Sequence, residues 1–252
     1  MICNAHLDPV WLWEWEEGAA TAISTFRTTA ELAENDKAFI FNHNEVTLYK
    51  WVQEYEPSLF KKIQKLVKQD KWHIMGGWYL QPDCNMPSGE SFVRQILLGN
   101  NYFKKHFGVK PKTAINFDPF GHTRGLVQIL AKSGYDSYLF GRPTEEWLDL
   151  KSHKFIWVGL DGSEIMATRF LGWYNTSLGE AAEQIQERIE QNSEHDMFAM
   201  LWGVGNHGGG PSKKDLRDVN KLIEKTTDRR IIHSTPENYF KLLNPTTPLR
   251  FV

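Results

Sequence analysis

The chain has 252 residues, 41% of them hydrophobic, which is enough to bury the core of one large α/β domain. Its 29 basic and 31 acidic residues nearly balance, and no basic stretch carries interleaved aromatic residues, so nucleic acid and anionic membranes are poor candidates for partners. No segment reaches the roughly 18 consecutive apolar residues of a membrane span, and the amino terminus lacks a signal-peptide pattern.

In the first half of the chain, strand-like and helix-like patterns alternate. Strands are predicted over 2–6, 38–44 and 72–83, and helices over 15–35 and 45–69, the second broken near Pro57. The cysteines, Cys3 and Cys84, fall in or beside these strands without the spacing of a disulfide framework or a metal site. They indicate a reducing, cytoplasmic setting.

The second half continues the alternation, with clear capping signals. Ser88 starts a helix that ends at Gly108, and Ser212 starts another with Asp215 at its third position. Strands are predicted over 113–118, 135–143, 198–205 and 229–234, helices over 123–134 and 178–192, and a hairpin over 155–170 that turns on Asp161-Gly162.

Strands separated by helices of this length predict an α/β fold with parallel strands, and no linker divides it into two domains. Parallel sheets carry their sites at the carboxyl ends of the strands. Polar residues stand at these expected ends, so the sequence predicts that they share one rim: His6, Asp8, Asn42, His43, Asp83, Asn116, Asp118, Arg142, Asn206 and His207.

Three of these residues form a set suited to Zn²⁺, namely His6, Asp8 and Asp118. A His-x-Asp pair alone is more often a simple hydrogen-bonded pair. Each aspartate, however, is followed by proline and then by an aromatic residue, Trp11 or Phe120. A carboxylate at a rigid turn beside an aromatic wall suits a sugar ring, which stacks through its C–H face and binds through its hydroxyls.

The glycine-rich segment "GVGNHGGGPS" follows a predicted strand. It lacks the Lys-Ser/Thr ending of a phosphate-binding loop and does not have the dinucleotide spacing. We interpret its glycines as bringing backbone close to a ligand, with Asn206 and His207 directed into the cleft. The alternative is a plain strand-to-helix connection.

Five blocks resemble the catalytic domain of the glycoside hydrolase family 38 α-mannosidases, in that family's order: "AHLDPVWLW", "QPDCNMPSGESFVRQ", "NFDPFGH", "GYDSYLFGRP" and "GVGNHGGGPS". The resemblance implies a seven-stranded, parallel-rich β/α barrel-like domain that holds one Zn²⁺. It also implies retaining hydrolysis of terminal α-linked mannose from oligosaccharides or glycans, through a covalent mannosyl-enzyme.

Carried over by position, His6 and Asp8 match two zinc ligands, and Asp118 matches the aspartate that is both zinc ligand and nucleophile. Trp11 and Phe120 match aromatic wall positions, and Arg142 matches an arginine near the nucleophile. Asn206 and Asp83 complete the expected substrate-binding set.

The general acid/base departs from the better-known family pattern, in which an aspartate stands where this chain has Asn206-His207. His207 is a candidate, since imidazole titrates near neutral pH, but it could instead face the metal or bind a hydroxyl. Asp83, or an acid outside the matching blocks, is the other candidate.

The resemblance also implies a fourth zinc ligand, a histidine, beyond Val252. Residues 1–252 are therefore expected to be a single catalytic domain truncated at both ends, without downstream helical and β domains, and poorly active alone. The alternatives are a metal-dependent polysaccharide deacetylase and an inactive carbohydrate-binding domain. Association of the full-length protein into a homo-oligomer is left open.

Overall fold

The computed structural model describes residues 1–205, 209–243 and 249–251. In chain order the strands of this part are β1 (Ile2–Cys3), β2 (Phe41–His43), β3 (Trp72–Ile74), β4 (Thr113–Asn116), β5 (Ser137–Phe140), β6 (Lys154–Val158), β7 (Glu164–Arg169), β8 (Leu201–Trp202) and β9 (Leu249–Phe251). The helices are α1 (Trp15–Asn35), α2 (Val46–Tyr55), α3 (Pro57–Lys68), α4 (Gly89–Phe107), α5 (Gly125–Ser133), α6 (Ala181–Gln191), α7 (Lys213–Lys225) and α8 (Pro236–Leu242).

The chain divides into two compact units. The first comprises Met1–His43, Thr47–His73 and Gly172–Thr235, and the second comprises Asn44–Val46, Ile74–Leu171 and Pro236–Val252. None of the helices in the described ranges is both long and apolar enough to cross a bilayer.

The first unit is built on a four-stranded sheet in the order β3-β2-β1-β8, in which β1 is parallel to both β2 and β8. Fully buried aromatic rings pack beside it: Phe26 contacts Tyr49 and Trp72 with ring centroids 5.1 Å apart in each pair. The indole of Trp72 donates to the hydroxyl of Tyr49 at 2.8 Å, so these rings bury apolar surface without leaving that N–H unsatisfied.

The second unit has a five-stranded sheet in the order β4-β5-β7-β6-β9. Strands β4, β5 and β7 run parallel, β6 is antiparallel to β7, and β9 is parallel to β6. The buried ring of Tyr138 stacks on the rings of Phe140 and Trp157, with centroid distances of 5.6 and 5.8 Å, so this face of β5 is packed against other aromatic side chains.

The predicted α/β class with parallel-rich strands is confirmed, and the capping signals identified the helices correctly. Ser88 accepts from the backbone N–H of Ser91, and Ser212 accepts from that of Asp215. Gly108 and Gly134 end α4 and α5 in the left-handed conformation that glycine favours. The predicted hairpin is the β6–β7 pair.

Other element predictions are corrected. Of residues 72–83 only Trp72–Ile74 are strand, because Gly76 and Gly77 have φ of 70° and 76° and turn the chain. The strand predicted at 229–234 is wrong, since these residues, all described, form neither a strand nor a helix. Helix α8 and strand β9 were not predicted.

Candidate functional site

In the first unit, β1 ends at Cys3, and the chain continues through buried residues to His6 and Asp8. The Nε2 atom of His6 lies 3.4 Å from Oδ1 of Asp8. The imidazole is packed edge-on against the ring of Tyr174, with centroids 4.9 Å apart, while the side chain of Asp8 is one-third exposed. A fixed imidazole and a solvent-facing carboxylate thus converge at this strand end.

The turn after Asp8 is held against helix α1. The indole N–H of Trp13 donates to the backbone carbonyl of Asp8 at 3.1 Å, and the ring of Trp11 packs edge-on against Trp13. Gly18 makes the close approach possible, since a Cβ there would lie 2.1 Å from the carbonyl oxygen of Pro9. Trp11 is 63% exposed on a backbone that is held in place.

The glycine-rich loop after β8 packs on the same strand end. Gly203 has φ of 123°, and a Cβ there would lie 1.9 Å from the carbonyl oxygen of Asn4, so only glycine fits. The N–H of Val204 donates to the carbonyl of Gly210 at 3.2 Å and brings the two arms of the loop together. The predicted site residues Asn206 and His207 lie outside the described residues.

In the second unit, Asp118 and Arg142 are brought together by sheet register. Asn116 of β4 pairs with Phe140 of β5 in parallel, so the residues two positions further on are also neighbours. The Nε–H of Arg142 donates to Oδ1 of Asp118 in an ion pair that is partly buried. Gly141 allows the approach, because a Cβ there would lie 2.5 Å from the carbonyl oxygen of Phe117.

The surroundings of Arg142 fix it further. Its guanidinium lies 5.6 Å from the centroid of the Phe120 ring, which is 72% exposed. His122 contacts the carbonyl of Arg142 through Nε2 at 2.7 Å and the hydroxyl of Tyr138 through Nδ1 at 3.2 Å. Burial lowers the pKa of His122, so the neutral ring donates from Nε2 to the carbonyl and accepts from Tyr138.

Asp83 has a supporting position in this arrangement. Its Oδ1 accepts from the backbone N–H of Asn85 at 3.0 Å, and the Asn85 amide donates to the carbonyl of Phe120 at 3.1 Å. Sequence reasoning missed Asn85, His122 and Gln81, which accepts from the N–H of Phe117 at 2.9 Å. The signal that could have found them is their place inside the matching blocks, since all three are polar residues flanking Asp83 or Asp118.

The predicted polar rim is wrong for three of its members, which are buried. The amide of Asn42 donates to the carbonyls of Cys3 and Ser234, at 3.2 and 3.1 Å. The amide of Asn116 lies 2.8 Å from the sulfur of Cys84. His43 packs against the ring of Phe26 at 4.8 Å. These residues connect strand ends to their neighbours inside the core.

The predicted zinc ligands are distributed over both units, with His6 and Asp8 in the first and Asp118 in the second. Among the described residues there is no group of three or more His, Cys, Asp and Glu side chains that could hold a metal ion. The 3.4 Å between His6 Nε2 and Asp8 Oδ1 nevertheless suits zinc. Two ligand atoms about 2.0–2.2 Å from a tetrahedral zinc lie about 3.3–3.6 Å apart.

The family of the chain follows from comparison with known proteins. Residues 1–250 match the model of the glycosyl hydrolases family 38 N-terminal domain, and the chain belongs to this family. Alpha-mannosidase G of Dictyostelium discoideum is 30% identical to it, over 97% of this chain and 23% of that protein. Human alpha-mannosidase 2C1 is 28% identical, over 95% of this chain and 23% of that protein.

Among solved structures, an alpha-mannosidase from Enterococcus faecalis superimposes with a TM-score of 0.83 at 21% identity, over 99% of this chain and 30% of that one. This likeness concerns the fold. The chain spans less than a quarter of the length of the two curated relatives named above.

Proposed function

We propose that the protein is a zinc-dependent retaining exo-α-mannosidase that removes terminal α-linked mannose from oligosaccharides or glycans. The observation that carries the proposal is membership of the glycoside hydrolase family 38 N-terminal domain over residues 1–250. The relatives named alpha-mannosidase support the choice of mannose. The seven-stranded barrel-like arrangement of the single catalytic domain remains part of this proposal.

Zinc would be held by His6, Asp8 and Asp118. The donor types support this assignment, since one imidazole and two carboxylates are common ligands of open catalytic zinc sites. When bound, zinc supplies Lewis-acid binding for hydroxyl oxygens of the sugar. The pair of His6 and Asp8, already at the spacing of two tetrahedral ligands, supports the first half of the site.

Asp118 is the proposed nucleophile. Arg142 engages its Oδ1, which leaves Oδ2 to attack the anomeric carbon of the terminal mannose. The bond from this carbon to the glycosidic oxygen breaks as the new ester bond forms, and the departing oxygen takes a proton from the general acid. Water then attacks the same carbon after losing a proton to that residue, releasing mannose with retained configuration and regenerating the carboxylate.

The candidates for the general acid/base are His207, Asp83 and an acid outside the matching blocks. The retaining pathway requires this group about 5–5.5 Å from the Asp118 carboxylate. The sugar-binding surface would include the exposed rings of Trp11 and Phe120. Arg142 and Asn206 would complete it, with Asp83 acting through the turn that holds Phe120.

A cytoplasmic setting is proposed on the state of the thiols. Both Cys3 and Cys84 are free and buried, as expected for a protein that folds in a reducing compartment.

The decisive experiment is trapping of the covalent intermediate. The full-length protein, loaded with zinc, is incubated with a fluorinated α-mannosyl fluoride, and the labelled peptide is identified by mass spectrometry. The label is expected on the peptide that contains Asp118, together with loss of activity that recovers slowly as the ester hydrolyses. Detection of α-mannose as the first-formed product by proton NMR would establish retention of the anomeric configuration.

Matched variants make this test specific. Asp118→Asn should abolish labelling, whereas Asp161→Asn, which removes a carboxylate from the β6–β7 turn, should leave it unchanged. Labelling of a different carboxylate, or first formation of β-mannose, would contradict the assignment of Asp118. Acetate release from an acetylated polysaccharide, without hydrolysis of mannosides, would support the deacetylase alternative instead.

A further inference from the structure

The loop between β5 and β6 exposes a tryptophan that the mechanism does not use. Trp147 is 83% exposed, the highest value among the exposed large hydrophobic side chains of the described residues. Its neighbour Leu148 is 41% exposed. A large apolar ring left in water on a surface loop needs a reason, since burying it would stabilise the fold.

The loop backbone around Trp147 is held in one conformation. The carbonyl of Thr144 accepts from the N–H groups of both Trp147 and Leu148, at 3.1 and 2.9 Å. The guanidinium of Arg169 lies beneath this turn and donates to the carbonyls of Pro143 and Leu148, at 3.2 and 2.6 Å. Trp147 is therefore presented on an ordered turn.

Holding the loop with Arg169 requires the burial of a charged side chain, which costs free energy. Arg169 is only 4% exposed, and burial lowers its pKa, opposed by the nearby carboxylates of Glu145 and Asp149. Burying a guanidinium is unfavourable unless it is paired, and here Nη1 donates to two loop carbonyls while Nη2 lies 3.6 Å from Oε1 of Glu145. Such an arrangement is expected where the position of the loop matters for binding.

The same loop begins at the site proposed for catalysis. Arg142, which pairs with Asp118, precedes Pro143, and Pro143 is one of the two residues that Arg169 holds. Trp147 lies five positions after Arg142, so their Cα atoms are at most about 18 Å apart. The ring is therefore within a few sugar units of the nucleophile in the same unit.

The residues around Trp147 indicate which class of ligand the loop would bind. The exposed indole is flanked by Glu145, Glu146 and Asp149, which disfavour anionic ligands such as acidic polysaccharides and nucleic acid. An aromatic face stacks well on the C–H face of a pyranose, and carboxylates beside it accept hydrogen bonds from hydroxyls. A neutral saccharide fits both features.

We infer that Trp147 forms an outer subsite for a neutral saccharide, binding the part of an oligosaccharide substrate on the leaving-group side of the scissile bond. The inference rests on the proposed function and narrows it, because it makes the enzyme select oligosaccharides over simple mannosides. Contact with the leaving group persists in the transition state, so its loss lowers kcat/KM.

The test compares two substrates in the zinc-loaded, full-length protein. A linear α-linked mannotriose reaches the outer subsite, whereas α-mannosyl fluoride has no sugar there. Trp147→Ala should lower kcat/KM for mannotriose about tenfold, the factor that about 1.4 kcal/mol of lost stacking gives, and leave the fluoride within about twofold. The kcat/KM of Trp147→Phe for mannotriose should lie between those of the wild type and Trp147→Ala. Leu160 is an exposed residue in the β6–β7 turn, and Leu160→Ala should leave kcat/KM unchanged for both substrates.

Equal losses on both substrates in Trp147→Ala, or no loss on mannotriose, would overturn the subsite. Binding of mannotriose, measured by calorimetry in parallel, distinguishes failure of the outer subsite from failure of the proposed mannosidase function. Binding that depends on Trp147 in a wild-type protein that hydrolyses neither substrate would contradict the proposed function and support the subsite. Turnover of both substrates that does not depend on Trp147 would support the function and remove the subsite.

Discussion

Arg142 and Asp118 form an ion pair across the ends of two adjacent parallel strands, although they lie 24 positions apart in sequence. The pairing follows from register, because Asn116 and Phe140 are Cα partners and the chain advances equally on both strands. Gly141 and the neutral ring of His122 then hold the arginine in place. The orientation of the proposed nucleophile thus depends on a neighbouring strand.

Removing this ion pair should affect turnover more than binding. We expect Arg142→Ala to lower kcat on an α-mannoside about 10²-fold, because the carboxylate of Asp118 loses the partner that sets its angle. Arg142→Lys should recover little, since an ammonium on a flexible stem does not reproduce the Nε contact. Steady-state kinetics with unfolding curves would check this, and a wild-type kcat in Arg142→Ala would refute the orienting role.

The His6 and Asp8 pair leads to a prediction about metal binding. His6→Ala should weaken zinc binding by more than about tenfold, the lower bound typical for loss of a group that merely supports a ligand. Competition with a chromophoric zinc chelator measures the change without reference to activity. His73→Ala on strand β3 is the matched control, and equal zinc affinity in the two variants would argue against His6 as a ligand.

Sequence reasoning located the helices better than the strands. Capping residues such as Ser88, Gly108 and Ser212 act locally, so their positions could be predicted. From the sequence, Asp118 and Arg142 could be predicted only to lie at the ends of two strands. That they touch depends on the register between β4 and β5, which short apolar strands do not specify by pattern alone.

The failures have a common physical origin. Asn42 and Asn116 looked like rim residues because they are polar and follow apolar runs, but their side-chain amide N–H groups donate inside the core to partners remote in sequence. The strand predicted at 229–234 failed similarly. His233 in that segment is partly buried and contacts Asn220, a side-chain pairing that no local pattern reveals.

His233 gives a prediction about pH and stability. Burial lowers its pKa from 6.5 to about 4, and its Nε2 lies 3.0 Å from Oδ1 of Asn220. Protonation therefore favours the unfolded chain, whose histidine titrates near 6.5. This contribution to stability is complete above pH 6.5, falls as the pH drops, and is lost by about pH 4, with a total of at most about 3 kcal/mol.

His233→Gln removes this titration and keeps a polar side chain near Asn220. We expect its free energy of unfolding to fall less steeply than that of the wild type between pH 6.5 and 4. Denaturant unfolding at half-unit pH steps would show the difference in slope. Parallel curves for the two proteins would show that His233 is not the group responsible.

The two thiols should be unreactive until the protein unfolds. Burial raises the pKa of Cys84 from 9.0 to about 12, and it also raises that of Cys3. At pH 8 the thiolate fraction of Cys84 is then about 10³-fold below that of an ordinary thiol. A disulfide-exchange reagent should titrate neither cysteine in the native protein and both in guanidinium, whereas rapid native reaction would show that the thiols are accessible.

Two glycine substitutions test how the turn after Asp8 is held. Alanine normally stabilises a helix relative to glycine by about 1 kcal/mol, so Gly18→Ala in α1 would be stabilising if nothing opposed it. A Cβ at Gly18, however, would lie 2.1 Å from the carbonyl oxygen of Pro9. We expect the free energy of unfolding to fall by about 1–3 kcal/mol because of this overpacking, and zinc binding to weaken as the turn moves.

Gly89→Ala, at the start of α4, is the control, because its Cβ would meet only the Cδ1 of Ile129 at 3.8 Å. Chemical unfolding should therefore show Gly18→Ala destabilised and Gly89→Ala unchanged or stabilised, and a stabilised Gly18→Ala would mean that the turn is not held against the helix.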